Sequence, residues 1–179
     1  MCLQPWAHLD RSAAACGRWL EGIGRSPEGV ILLNPLPLHH ISGLMPWWRS
    51  RLWGAQHVSL PPPLMKDPPS LLASCSDLPG WGQKQAVVSL VPTQLKRLLD
   101  HPEGVAWLQD LVLVWVGGAC LPAPLAERAR ELSSTRHNSH VFTEGQDSQR
   151  PCAAGSRRSC AAPSAPTAPQ RHRRTTHLR

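Results

Sequence analysis

The chain has 179 residues, with 19 Lys+Arg against 12 Asp+Glu for a formal net charge of +7, 19 Pro and eight Trp. That length suits one ordinary domain with a core of its own. The apolar runs fall far short of a membrane span, "MCLQPWAHLDR" lacks the apolar stretch of a secretory leader, and six scattered cysteines without a C-x-x-C pair read as free thiols in a reduced, cytoplasmic setting.

Residues 7–24, "AHLDRSAAACGRWLEGIG", predict a helix: Leu9, Ala13, Cys16 and Leu20 share one face, and Gly22 and Gly24 end it. "GVILLN" (29–34) predicts a short buried strand. "ISGLMPWWRSRLWG" (41–54) predicts a helix with Pro46 near its first turn or at a kink. "QHVSL" (56–60) predicts a second strand, ended by the prolines at 61–63. "DPPSLLASCS" (67–76) predicts a helix with Asp67 as N-cap and prolines in its first turn. "QAVVSLV" (85–91) predicts a third strand and "PTQLKRLLD" (92–100) a helix opened by Pro92. "LVLVWV" (111–116) predicts a fourth strand, which runs into "GGACLP" and the helix "APLAERAREL" (123–132).

Strands that are continuously apolar and alternate with helices predict an α/β fold: a partial parallel sheet with helices on both faces. Ligands gather in such sheets where the C-terminal ends of strands pass into loops. Three loops qualify: "PLPLHHISG", "SLVPT" and "VGGACLP". After Leu132 the composition changes. Residues 1–132 carry 11 Lys+Arg against 10 acids; residues 133–179 carry 8 Arg against 2 acids, with Val141, Phe142 and Leu178 as the only large apolar side chains. Such a stretch buries too little apolar surface to offset the entropy of ordering, so residues 133–179 read as a basic, disordered Ala/Pro/Arg/Ser-rich tail.

Each motif has a plain reading beside a functional one. Gly117 and Gly118 either let a ligand approach the backbone closely or make a tight strand-to-helix turn. The amides opened by Pro92 and Thr93 either face an anion or simply start a helix. His39 and His40 chelate a metal poorly together, because neighbours in extended chain point to opposite faces and no acid or cysteine completes the set. The geometry fits one histidine lining a pocket and the other turned away from it. "HNSH" (137–140) is better spaced for a metal but lacks a scaffold. Trp47, Trp48 and Trp53 lie on an apolar helix and read as core. The Arg-rich tail could hold nucleic acid only weakly and without selectivity.

Taken in order, "LPLHHISGLM", "SLVPTQLKRLL" and "LVLVWVGGACLPAPLAERAREL" resemble the adenylate-forming acyl-CoA synthetase (AMP-binding) superfamily, and within it the o-succinylbenzoate–CoA ligases of menaquinone and phylloquinone biosynthesis. The resemblance covers residues 7–132 and implies part of the N-terminal domain of such a ligase. It implies an acyl-substrate pocket at His40 and Gly43, at Val91, Pro92 and Thr93, and at Gly117, Gly118 and Ala119. His39 takes a place where relatives carry an aromatic. The reaction it implies joins a carboxylate to the α-phosphate of ATP and then transfers the acyl group to CoA. Mg²⁺ would stabilise the charge developing on phosphate, and o-succinylbenzoate would be the acid.

The resemblance also implies parts that are not legible here: a Ser/Thr/Gly-rich phosphate loop ending in Pro-Lys-Gly, an intact Tyr-Gly-x-Thr-Glu motif, and a C-terminal domain with its catalytic lysine. Thr143 and Glu144 stand at the register of that motif's Thr-Glu, as nucleotide contacts, with Val141 and Phe142 in place of Tyr-Gly. The expectation is therefore a truncated ligase-like chain, inactive alone, whose tail is out of frame. It has no catalytic or metal-binding residue of its own, and ATP, Mg²⁺ and CoA are not productively bound. The alternatives are a non-catalytic module that holds an aromatic acid or partners a split ligase, and a weak nucleic-acid binder acting through the tail.

Overall fold

The computed structural model describes residues 5–82 and 85–132 in full, together with the backbone of 133–135 and 140–143. The elements run α1 (Trp6–Gly22), β1 (Val30–Asn34), α2 (Ile41–Trp53), β2 (Gln56–Ser59), α3 (Pro68–Ser76), β3 (Gln85–Leu90), α4 (Pro92–Leu99), α5 (Pro102–Gln109), β4 (Leu113–Val116), α6 (Ala123–Thr135) and β5 (His140–Thr143). Short 3₁₀ turns at Pro27–Gly29 and Pro62–Lys66 lead into β1 and α3. No helix among the described residues is long and apolar enough to cross a membrane.

All strand pairs are parallel, in the order β2-β1-β3-β4-β5. Side chains alternate across a strand, and both faces of this sheet are covered. Ile31, Leu33, Val88, Leu90, Val114 and Val116 point to one face, where they pack with Leu71 of α3, Leu95 and Leu98 of α4, Trp107 of α5 and Ala129 of α6. Val30, Leu32, Val87 and Leu113 point to the other, under Leu20 of α1 with Trp19 and Trp53 beside them. Double coverage explains why the strands read as unbroken apolar runs.

After β1 the chain moves outward to β2, then returns across β1 to place β3 on its other side. The order therefore reverses between β1 and β3, and open parallel sheets leave a crevice beyond the strand ends at such a point.

Local sequence explains most boundaries. Asp67 caps α3 by accepting from the Ser70 amide at 3.3 Å and the Ser70 hydroxyl at 2.6 Å. Gln94 of α4 turns its side-chain oxygen back to the Val91 amide at 3.1 Å, one half of a capping box. Gly54 ends α2 in a left-handed conformation at φ 66°.

Three features depart from the sequence expectation. Residues 102–109 form a separate helix, α5, because Pro102 cannot continue α4 yet suits a first helical turn. Pro46 lies well inside α2 and is buried. The change at 132 is not an end of secondary structure: α6 continues to Thr135, and β5 adds a fifth strand that pairs from His140 to Thr143 with Leu113 to Val116. The parallel ladder supplies backbone partners that composition does not reveal. The rest of the stretch expected as a disordered tail, including Glu144 and most of "HNSH", lies outside the described residues.

Candidate functional site

A cavity of about 500 Å³ opens at the C-terminal ends of β1, β3 and β4, at the reversal of strand order. Its walls come from four parts of the chain: His8, Leu9 and Ser12 of α1; Leu36 and His40 after β1 with Met45 and Arg49 of α2; Ser89 and Leu90 of β3; and Trp115, Gly117 and Gly118 of β4 and its loop. The size falls within the range of small-molecule sites.

Helices α1 and α2 are pinned together by two indole donors. Trp48 Nε1 donates to Asp10 Oδ1 at 3.0 Å, and Trp53 Nε1 donates to the Ala13 carbonyl at 3.0 Å. Trp48 and Trp53 are partly buried, as a core reading of that helix predicts. Trp6, at 66% exposure, lies against Trp48 with ring centroids 4.8 Å apart.

The loop after β1 is organised by Asn34, 1% exposed. Its Nδ2 donates to the Gly43 carbonyl at 2.8 Å and approaches His57 Nε2 at 3.2 Å, while its Oδ1 accepts from the Leu36 amide at 3.2 Å. Gly43 lies so close beneath the loop that a Cβ there would overlap the carbonyls of Pro37 and Leu36. Glycine is required by this approach, which sets the first turn of α2 against the loop.

His40 lines the cavity, but the two histidines are not arranged as in extended chain. The loop turns, with the His40 amide donating to the Pro37 carbonyl at 3.1 Å. Both rings are exposed and lie together, centroids 4.2 Å apart. The rings lie side by side because residues 38–40 form a turn, not a strand; His40 is among the cavity-lining residues, and His39 is exposed outside them.

Among the other residues singled out, Gly117 and Gly118 line the cavity, while Gly43, Val91, Pro92, Thr93 and Ala119 do not. Gly118 has φ 81°, and a Cβ on it would stand 3.4 Å from Val91 Cγ1, so the loops after β3 and β4 touch. The Gly117 amide donates to the Leu90 carbonyl at 3.0 Å. Pro92 is buried, Thr93 is exposed, and the Val91 amide is taken up by Gln94; this is helix initiation. Thr143 is placed by its backbone in β5, and Glu144 lies outside the described residues.

Sequence reasoning misses the most distinctive residue, Arg49. It is 8% exposed, and its guanidinium carbon lies 4.4 Å from the centroid of the Trp115 ring. Among the described residues its Nε has no hydrogen-bond partner. A buried cation with an unsatisfied donor is costly unless something anionic meets it, and this one lines a cavity. The signal in the sequence is spacing: Arg49 follows buried Met45 by four residues, so it shares the inward face of α2. Chemically, the arrangement can take a carboxylate at Arg49, with Trp115, Leu36 and Leu90 offering apolar contact to the rest of a ligand.

Comparison with known proteins finds relatives among CoA ligases. The chain is 37% identical over 117 residues to 2-succinylbenzoate–CoA ligase of Escherichia coli (strain K12), a match covering 59% of this chain and 22% of that one. It is 29% identical over 141 residues to the ligase of the same name from Haemophilus influenzae, covering 77% and 26%. The unliganded o-succinylbenzoate CoA synthetase (MenE) of Bacillus subtilis superposes with a TM-score of 0.54 at 26% identity, over 73% of this chain and 26% of that one. The chain is related in sequence and fold to one segment of the adenylate-forming ligases.

It spans about a quarter of the length of these ligases. No family model matches it. The Bacillus subtilis ligase is also known with the acyl-adenylate OSB-AMP and with ATP and a magnesium ion. In this chain, no three His, Cys, Asp or Glu side chains come together as cation ligands among the described residues.

Proposed function

We propose that this chain forms the acyl-substrate side of an o-succinylbenzoate–CoA ligase-like active site, in the cytoplasm, within menaquinone or phylloquinone synthesis. On this reading it binds the aromatic dicarboxylic acid and does not form the adenylate or the CoA ester by itself. The observation that carries the reading is Arg49: a buried, incompletely satisfied guanidinium stacked on Trp115 and facing a cavity at the strand-order reversal. Kinship to ligases that act on this acid supports the same ligand.

In this role Arg49 meets one carboxylate of the acid, and Trp115 with Leu36 and Leu90 packs the ring. Gly117 and Gly118 let the ligand lie against backbone. ATP, Mg²⁺ and CoA would be held by parts of a ligase other than the described residues.

Isothermal titration with o-succinylbenzoate tests the reading, alongside an assay for ATP-dependent CoA ester formation. Saturable binding without turnover is the expected result. Absence of binding by well-folded protein would overturn it, and turnover would overturn the non-catalytic part. The same binding bears on a second reading, a module that complements a split ligase: activity would then appear on adding the missing ligase segments in trans. A nucleic-acid role would rest on residues 133–179, whose side chains fall outside the described part of the chain.

A further inference from the structure

The polar cluster at the end of β1 has a property that acid binding does not use. The Asn34 amide has its orientation fixed by two partners of opposite sense. The Leu36 N–H needs an acceptor, which must be Oδ1, and the Gly43 carbonyl needs a donor, which must be Nδ2. The second Nδ2 hydrogen is then directed at His57 Nε2, 3.2 Å away. His57 must therefore accept at Nε2, which only the neutral ring with its proton on Nδ1 can do.

We propose that Asn34 and His57 form a proton-sensitive latch that fixes the loop from Pro35 to His40 against α2, and with it the cavity wall carrying Leu36 and His40. Protonating His57 turns Nε2 into a donor facing a donor. With His57 held in place, Asn34 must then move or rotate, and any such change withdraws either the donor from the Gly43 carbonyl or the acceptor from the Leu36 amide. Both groups are part-buried or buried, so losing a partner is costly there.

The surroundings of His57 favour its neutral form. Neighbouring β1 carries no ionisable side chain. The cations of α2 are Arg49, stacked on Trp115, and Arg51, which is exposed. Burial alone holds the His57 pKa below the usual histidine value, so the latch is closed near neutral pH and opens on acidification. His8 and His40 line the cavity and His39 lies on His40; they too are ionisable, so the effect must be assigned to His57 directly.

Proton and amide NMR of the intact chain, titrated with acid in the absence of any ligand, supplies the test. The expected result is that the backbone amides of Leu36 and Leu44 and the Asn34 side-chain NH₂ shift with the same midpoint as the His57 ring protons. That midpoint should lie below the ordinary histidine value of about 6.5. In His57→Gln, whose side-chain oxygen accepts without titrating, those amides should stay at their neutral-pH positions. The proposal is overturned if His57 titrates while the Leu36 and Leu44 amides do not follow. It is equally overturned if those amides titrate as before in His57→Gln. The wild-type titration decides the matter even if the variant folds poorly. No acid ligand enters the measurement, so its outcome is independent of the proposed function.

Discussion

The guanidinium of Arg49 lies 4.4 Å from the ring centroid of Trp115, joining α2 to β4 where both line the cavity. A cation–π contact of this kind contributes about 2 kcal/mol when desolvated. It orients the charge as well as holding it, because a planar guanidinium stacked on an indole can turn its edge toward a carboxylate.

Replacing Arg49 with Met keeps an unbranched apolar stem while deleting the charge. A charge-assisted hydrogen bond is worth about 1.5–3 kcal/mol, so Arg49→Met should bind o-succinylbenzoate roughly 10- to 100-fold more weakly with its fold intact. Calorimetric titration beside circular dichroism checks both halves. Equal affinities in the two proteins would remove Arg49 from the site.

Gly43→Ala should be among the most damaging small substitutions in the described chain. The added methyl meets the backbone carbonyls of Pro37 and Leu36, and backbone cannot swing aside as a flexible side chain can. A loss of about 2 kcal/mol or more is expected, at the upper end of ordinary point mutations. Gly22→Ala is the contrast: nothing lies within 4 Å of its Cβ position, it closes α1 without positive φ, and alanine there should gain up to about 1 kcal/mol. Urea denaturation of the pair should give midpoints displaced in opposite directions.

Acid should destabilise the protein in two stages. His57 has its pKa lowered by burial, so between that value and the unfolded histidine value the unfolded chain binds more protons, and stability falls as pH drops through this window. Asp67 is lowered chiefly by its hydrogen bonds with Ser70, and Asp100 by those from Lys96 and Arg128. Their contribution is complete above the ordinary aspartate range and is lost as pH falls through their depressed values. Both carboxylates are exposed, so the second stage should be shallow. Melting temperatures across the acid range should show the first decline in wild type and not in His57→Gln.

Trp107 of α5 is fully buried among the side chains of α3, α4 and the sheet. Trp107→Ala should cost roughly 3–5 kcal/mol, a large part of the stability of a domain this size. Trp107→Phe should cost markedly less. Equilibrium unfolding monitored by circular dichroism separates the cases, and near-equal midpoints for Trp107→Ala and wild type would show that α5 is not integral to the core.

The parallel sheet and its double covering are legible in the sequence because strands such as "VILLN" and "QAVVSL" are apolar without alternation, a pattern that only burial on both faces produces. The loops that meet at the cavity are legible for the same reason, since strand ends in such sheets converge. Side-chain direction within those loops is not legible. His39 and His40 lie in a turn whose form depends on the approach of Gly43 from the next helix. Arg49 looks like an ordinary helical cation until the packing of α2 on β4 places it over Trp115. Asn34 looks like a strand end, and its three partners come from the loop, α2 and β2. Helix α5 escapes notice because its apolar residues form no sharp face, unlike those of the equally short α4. β5 escapes because it lies in a stretch whose composition reads as too poor in apolar residues to order.

The crossing of β1 by the returning chain also governs how the molecule is made. β1 pairs with β2 on one side and β3 on the other, so its second neighbour is synthesised only after α2, β2 and α3. Val30 to Asn34, all buried in the finished sheet, must until then remain half-paired or be shielded by something else. Contacts between such distant segments close slowly and leave apolar strand edges open to the wrong partner in the interval. Once β3 arrives, growth becomes orderly, with β4 and then β5 each adding beside the strand just laid down. A nascent chain stalled before residue 85 should therefore be the one that chaperones hold longest.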